Sequence, residues 1–279
     1  MSVFLDYDRA SLDAQYFVRG HVLDWDERID EFARLSAARH AEAPSQLNIP
    51  YGDKPRQQLD VMSPSENAEN APVLVFLHGG YWRMMDKSQF GYVARTSDAA
   101  GALCVVPNYR LLPQVGLEDI VVDACNAIRW VLGPIAEYGG DPGRIVLCGH
   151  SAGAQLAAQV SARVGRQFVG LMGISGVYDL RPIQQCFLND IEFLDDATER
   201  RFNSAEAVSV LPCPADFAYG EQEPDEFSRQ SSEQAMFWNR PGSPSNLICL
   251  PKLNHATIVA QLNDPDSEIA GIARSYLTN

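Results

Sequence analysis

The chain has 279 residues, 46% hydrophobic and 21% charged, an ordinary globular composition with ample apolar material for a core. Its 22 Lys and Arg against 36 Asp and Glu leave a formal charge of −14. That surplus opposes binding to nucleic acid, whose phosphates need basic residues, and docking on an anionic membrane. No apolar run reaches the roughly 18 residues of a membrane-spanning helix.

At about 150 residues per domain the length allows one or two domains, and α/β enzymes often run this long as one. A single domain over 1–279 is expected. Near the start, Asp6, Asp8 and Arg9 stand where a signal peptide needs an apolar stretch. The six cysteines show no CxxC spacing, and Cys104, Cys148 and Cys249 lie in the apolar runs LCVV, IVLC and LICL. They read as buried thiols of a reducing compartment, neither staples nor metal ligands. With no N-x-S/T acceptor in the chain, a cytoplasmic location is expected. Nothing in the sequence fixes the oligomeric state, a homodimer included.

Residues 1–45 carry no strand signal. Trp25, Ile29, Phe32 and Leu35 recur at helical spacing after Asp24, with Glu27 three residues on, which predicts a capped helix in an N-terminal helical segment. Leu47–Tyr51 and Gln58–Met62 read as short strands, and Ser63–Pro72 as a polar loop. Val73–Leu77, Leu103–Pro107, Ile145–Cys148, Val169–Ile174, Ala215–Tyr219 and Leu247–Leu250 are apolar runs of strand length. Between them, Ile120, Ala124, Ala127, Val131 and Ile135 form a helical stripe stopped by Gly139, Gly140, Asp141 and Pro142. Leu156, Val160 and Val164 mark another helix. This alternation predicts an α/β fold with a mostly parallel central sheet and helices on both faces. The acidic, weakly periodic stretch Tyr178–Val208 fits an insertion that overlies the sheet's edge and, with the N-terminus, makes a small helical cap.

Chemistry concentrates at two glycine-rich strand ends. Gly149-His150-Ser151-Ala152-Gly153 is a G-x-S-x-G pattern, preceded by the strand IVLC and followed by the helix AQLAAQV. A sharp strand-to-helix turn of this kind exposes the Ser151 hydroxyl and points the helix N-terminus at it. His78-Gly79-Gly80-Tyr81-Trp82 follows the strand VLVFL. There, the backbone N–H groups of Gly80 and Tyr81, joined by that of Ala152, suit an oxyanion hole. Trp82 and Tyr81 are placed to wall the substrate pocket, and His150 stands beside the serine.

A serine nucleophile needs a general base. Of five histidines, only His255 lies downstream, just after the last strand. Four carboxylates then compete for the acid: Glu221, Glu223, Asp225 and Glu226. A position about three residues past the glycine that ends the preceding strand favours Glu223, with Asp225 second.

Several segments together resemble the α/β-hydrolase superfamily, and more narrowly its arylformamidase (kynurenine formamidase) branch with esterase relatives of the hormone-sensitive-lipase-like group. These are HGGYW at 78–82, GHSAGAQLAA at 149–158, SGVYDLRPI at 175–183 and EPDEFSRQS at 223–231. The resemblance spans roughly 45 to 275, and YDRASLDAQY at 7–16 is similar in a less specific way. In that branch the acid stands four residues before the Phe, which here is Glu223 before Phe227. The resemblance implies a serine hydrolase cleaving a small acyl ester or aryl amide without metal or organic cofactor. The competing readings are a non-hydrolytic binding protein of the same fold, and a lipase or peptidase. Asp190, Glu192, Asp195, Asp196 and Glu199 make 178–208 a poor lipid contact.

Overall fold

In a computed structural model, residues 1–165, 168–204 and 213–278 are described. Eight strands form one sheet: β1 Ser45–Pro50, β2 Gln58–Met62, β3 Ala71–Leu77, β4 Leu103–Pro107, β5 Gly140–His150, β6 Gly170–Ile174, β7 Ala215–Gly220 and β8 Ser245–Leu250. Their order is β1-β2-β4-β3-β5-β6-β7-β8. The first two pairings, β1 with β2 and β2 with β4, are antiparallel, and all the others are parallel. The expected α/β architecture is therefore present.

The continuous apolar runs have a simple cause. Every residue of β3, β4 and β6 is buried, because helices cover both faces of a parallel sheet. The helices Leu117–Val131 and Ala152–Arg163 pack on each other, as do Ala94–Asp98 and Glu268–Thr278. No helix among the described residues is long and apolar enough to cross a membrane.

Four local expectations need correction. The stripe ending at Ile135 is broken: the α-helix stops at Val131, and Gly133-Pro134 opens a separate 3-10 turn, Pro134–Tyr138, that buries Ile135. Gly140, Asp141 and Pro142 belong to β5, across an irregular step in its pairing with β3. Asp24 stands at the helix N-cap position of Trp25–Glu42 but makes no capping hydrogen bond; its carboxylate meets Arg28 at 2.8 Å instead. Cys249 is exposed, because β8 is the last strand and turns one face to solvent, while the other five thiols are buried.

The N-terminal segment is helical, as expected, over Arg9–Tyr16, Val18–His21 and Trp25–Glu42. It is tied to the body by buried polar bonds. Tyr16 Oη donates to Glu226 Oε2 at 2.6 Å, and Gln230 Nε2 donates to Tyr16 Oη at 2.7 Å. Arg229 grips both oxygens of Glu226, at 2.7 and 2.8 Å, and also reaches Asp179 at 3.1 Å. Against the 178–208 stretch, Asp13 Oδ1 accepts from the Phe187 N–H at 2.7 Å, and Arg9 meets Asp190 at 2.7 Å. The two expected cap segments thus touch each other. Residues 205–208 of that stretch lie outside the described residues.

Removing one partner of a buried ion pair strands the other, whereas exposed pairs contribute little. Glu226 is 1% exposed as a side chain and Glu233, on the same arginine, 41%. Glu226→Ala should therefore lower the unfolding free energy by about 3 kcal/mol and Glu233→Ala by less than about 1 kcal/mol, read from urea midpoints.

Candidate active site

Ser151 sits where β5 gives way to the helix Ala152–Arg163, with φ 58° and ψ −123°. A non-glycine residue there is strained and persists only where neighbours over-determine it. Its N–H donates to the Ile174 carbonyl at 2.8 Å, and its carbonyl accepts from Ala154 at 3.0 Å. The flanking glycines are steric requirements. A Cβ on Gly149 would lie 2.2 Å from the Gly153 carbonyl oxygen, and one on Gly153 would lie 2.0 Å from that of Leu77. The strand, the turn and the helix cross too closely for any side chain.

The loop after β3 lies against this turn, since a Cβ on Gly79 would come 3.0 Å from the Ser151 Cβ. Gly80 has φ 106°, and Tyr81 and Trp82 follow with φ 48° and 59°. The Gly80 carbonyl accepts from Arg83 and Met84, at 3.0 and 3.1 Å, which closes the turn. The backbone N–H groups of Gly80, Tyr81 and Ala152 find no acceptor among the described residues. The loop is anchored by His78, which stacks on Tyr109 at 4.4 Å and meets Asn108 Oδ1 at 3.2 Å.

His255 opens the helix His255–Ala260. Asn254 caps that helix by accepting from Ala256 and Thr257, at 3.1 and 2.9 Å. The cap fixes the ring's starting point. His255 Nδ1 lies 2.6 Å from Glu223 Oε1. The other oxygen, Oε2, accepts from the Gly220 N–H at 2.6 Å and from Ser175 Oγ at 2.7 Å. Among the competing carboxylates, Glu221 accepts from Lys252 N–H at 3.0 Å and Glu226 binds Tyr16 and Arg229. Asp225 begins the next helix, Asp225–Trp238. Only Glu223 of the four is bonded to His255 among the described residues.

Ser151, His255, His150, Gly80 and Tyr81 line one cavity of about 200 Å³. Tyr16, Phe17 and Trp25 of the N-terminal segment and Phe187 and Leu188 of the 178–208 stretch line it as well. Tyr81 holds its place by donating from Oη to the Tyr16 carbonyl at 2.9 Å. Trp82 is a correction: it is fully buried and does not line the cavity. Its ring turns toward Phe193, 6.1 Å away, because the left-handed turn reverses the loop at that residue. The His150 ring lies 4.4 Å from that of His255, and its Nε2 meets no partner among the described residues.

Sequence reasoning assigned no site role to Ser175, Phe227, Arg83 or the aromatic residues of the N-terminal segment. The Phe227 ring lies 4.6 Å from the His255 ring, tilted by 49°. The segments SGVYDL and EPDEF, already distinctive, held the signal for Ser175 and Phe227. Nothing local marked Arg83.

Burial keeps two histidines neutral. His78 is pushed down to about 4 by desolvation, and His150 lies well below the ordinary histidine value through desolvation and then the neighbouring His255. In the unfolded chain both titrate near 6.5, so that state takes up protons first as pH falls. Their contribution is complete above about pH 6.5 and is lost as pH falls toward 4. His78→Asn should therefore cost less at pH 4 than at pH 7, the difference shrinking by about 3 kcal/mol in denaturant titrations at the two pH values.

Comparison with known proteins places the chain in a family. The alpha/beta hydrolase fold family matches residues 74–256. Kynurenine formamidase of Danio rerio is 31% identical over 229 residues, covering 78% of this chain and 77% of that protein. A solved structure from Silicibacter sp. tm1040, provisionally named a thioesterase, superposes with a TM-score of 0.83 at 24% identity, covering 96% of this chain and 99% of the other. Esterase B from Lactobacillus rhamnosis gives 0.70 at 19% identity, covering 92% and 96%. These two show a shared fold. The chain belongs to the α/β-hydrolase family and is a hydrolase of its esterase- and arylformamidase-like kind.

Proposed function

We propose that the chain is a serine hydrolase that cleaves a small acyl group from an aryl ester or aryl amide. The observation that carries the reading is that His255, whose Nδ1 lies 2.6 Å from the buried Glu223, lines the same cavity as Ser151. Ser151 Oγ attacks the acyl carbon as His255 Nε2 takes the hydroxyl proton. The carbonyl oxygen becomes an oxyanion, met by the N–H groups of Gly80, Tyr81 and Ala152. The imidazolium gives its proton to the leaving oxygen or nitrogen, and that bond breaks. Water then attacks the acyl-serine through the same base and releases a carboxylic acid. Glu223 holds the imidazole tautomer with Nδ1 protonated and stabilises the charged ring. Ser175 and Gly220 hold Glu223. Phe227 and His150 flank the ring, and the neutral His150 adds no charge against the imidazolium.

The substrate class follows from the cavity and from the relatives. About 200 Å³ walled by Tyr16, Phe17, Trp25, Tyr81 and Phe187 suits an aryl group carrying a formyl or acetyl group. Similarity to a kynurenine formamidase favours the formamide.

Three measurements test the reading. Ser151→Ala should abolish labelling by a fluorophosphonate probe; labelling that persists overturns the nucleophile. Glu223→Ala should lower kcat by about 10³–10⁴-fold, and Asp225→Ala should leave it nearly unchanged. kcat/KM on N-formylkynurenine against p-nitrophenyl acetate separates formamidase from esterase. A formamide value within the common 10⁴–10⁸ M⁻¹s⁻¹ range, about that of good enzymes, is expected.

A further inference from the structure

The cavity in front of Ser151 has a charge pattern opposite to that of the chain. Acids exceed bases by 14 overall, yet two arginines, Arg19 and Arg83, line the cavity and no Asp or Glu does among its described lining residues. The remaining walls are largely aromatic or aliphatic.

Arg83 is the unusual member. Three other deeply placed arginines bond carboxylates, Arg39 to Asp98, Arg110 to Asp123 and Arg229 to Glu226; Arg163, like Arg83, bonds a backbone carbonyl, but it lies outside the cavity. Arg83 bonds no carboxylate among the described residues. One end of its guanidinium donates to the Leu188 carbonyl, while Nε is buried and without a partner. Burial pulls its affinity for a proton below the ordinary arginine value. A guanidinium remains charged even so; the nearby Asp190 acts on it only at a distance, its carboxylate being bonded to Arg9, and a half-buried charge with no carboxylate in direct contact is costly until an anion meets it. Arg19 stands at the rim, 61% exposed and paired with Asp26 at 2.5 Å. Asp26 offsets part of that charge, so Arg19 contributes less than Arg83.

We propose that Arg83, helped at the rim by Arg19, is the subsite for a carboxylate carried on the leaving group of the substrate. The inference rests on the hydrolase reading for its orientation. The acyl carbon must sit on Ser151, so the leaving group fills the cavity that reaches Arg83. The planar fork of arginine matches a carboxylate in two-point geometry. The local cations also let an anion approach a protein whose net charge repels it.

A matched pair of probes tests this: 4-acetoxybenzoate, and its neutral methyl ester, methyl 4-acetoxybenzoate. The readout is the ratio of their kcat/KM values, which is independent of the absolute rate. Arg83→Gln should lower the acid-to-ester ratio by about 10–100-fold, and Arg83→Lys, which keeps the charge but not the fork, should restore only part of it. Arg19→Gln should lower it by about twofold to fivefold, as expected of an exposed charge.

Binding to the Ser151→Ala protein, followed by calorimetry, repeats the test without turnover, using 4-hydroxybenzoate and methyl 4-hydroxybenzoate. A preference for the acid that disappears on adding Arg83→Gln supports the subsite, even if no ester is cleaved and the hydrolase reading falls. A ratio unchanged by Arg83→Gln in both assays, in a protein that still labels with fluorophosphonate, overturns the subsite and leaves the hydrolase reading standing.

Discussion

Three chain segments meet at the carboxylate of Glu223. Ser175 arrives from the end of β6, the Gly220 N–H from the end of β7, and His255 from the turn after β8. All three strands run parallel, so their carboxyl ends open on the same side, and one buried acid can join them. The carboxylate has no exposed surface, so each bond to it replaces a bond to water. A shift in any of the three strands would leave a buried charge short of partners. The position of His255 is therefore fixed by the register of the sheet. Gly220 makes the approach feasible, since a Cβ there would lie 2.3 Å from the Leu253 carbonyl oxygen.

The same logic explains what the sequence makes legible. Parallel strands buried on both faces read as unbroken apolar runs, so β3, β4 and β6 are plain in the composition of short windows. The serine turn is legible because two glycines sit where backbones nearly touch. Glu223 stood out among four carboxylates through its distance from Gly220, a constraint of the chain itself. Properties set by distant residues were hidden. The ring of Trp82 is adjacent in sequence to the pocket-lining Tyr81, yet faces Phe193 across 111 positions. Asp24 has the right residue type for a cap, but Arg28 competes for its carboxylate one turn on. The thiol Cys249 reads like its neighbours in apolar runs, and only the sheet order reveals that β8 is an edge.

The N-terminal segment gives the cavity its outer wall. Its aromatic residues line the cavity, while a buried glutamate–arginine–tyrosine network roots it to the helix that begins just after Glu223. The helix Asp225–Trp238 thus serves two ends. Phe227, in its first turn, packs on the His255 ring, and Glu226 beside it bonds Tyr16. Pocket wall and His255 ring are positioned by adjacent residues of one element, so a change that loosens the wall is felt at the ring.

Backbone strain is distributed in the same way. Ten non-glycine residues have positive φ among the described residues, and five of them, Tyr81, Trp82, Met85, Ser151 and Ser175, stand in the segments that follow β3, β5 and β6. Each such residue costs on the order of 1–3 kcal/mol and is retained only where surrounding contacts leave no alternative. Here the contacts are specific. The Ile174 carbonyl holds Ser151, the Ala218 carbonyl holds Ser175 at 2.7 Å, and the Gly80 carbonyl gathers two N–H groups beneath the loop. Relaxing Ser151 would free its N–H from β6, and relaxing Ser175 would free its N–H from β7. The strain in the turns is therefore sustained by hydrogen bonds at the carboxyl ends of neighbouring strands. The sheet that makes the core also keeps the serine hydroxyl in a conformation that an isolated chain would abandon.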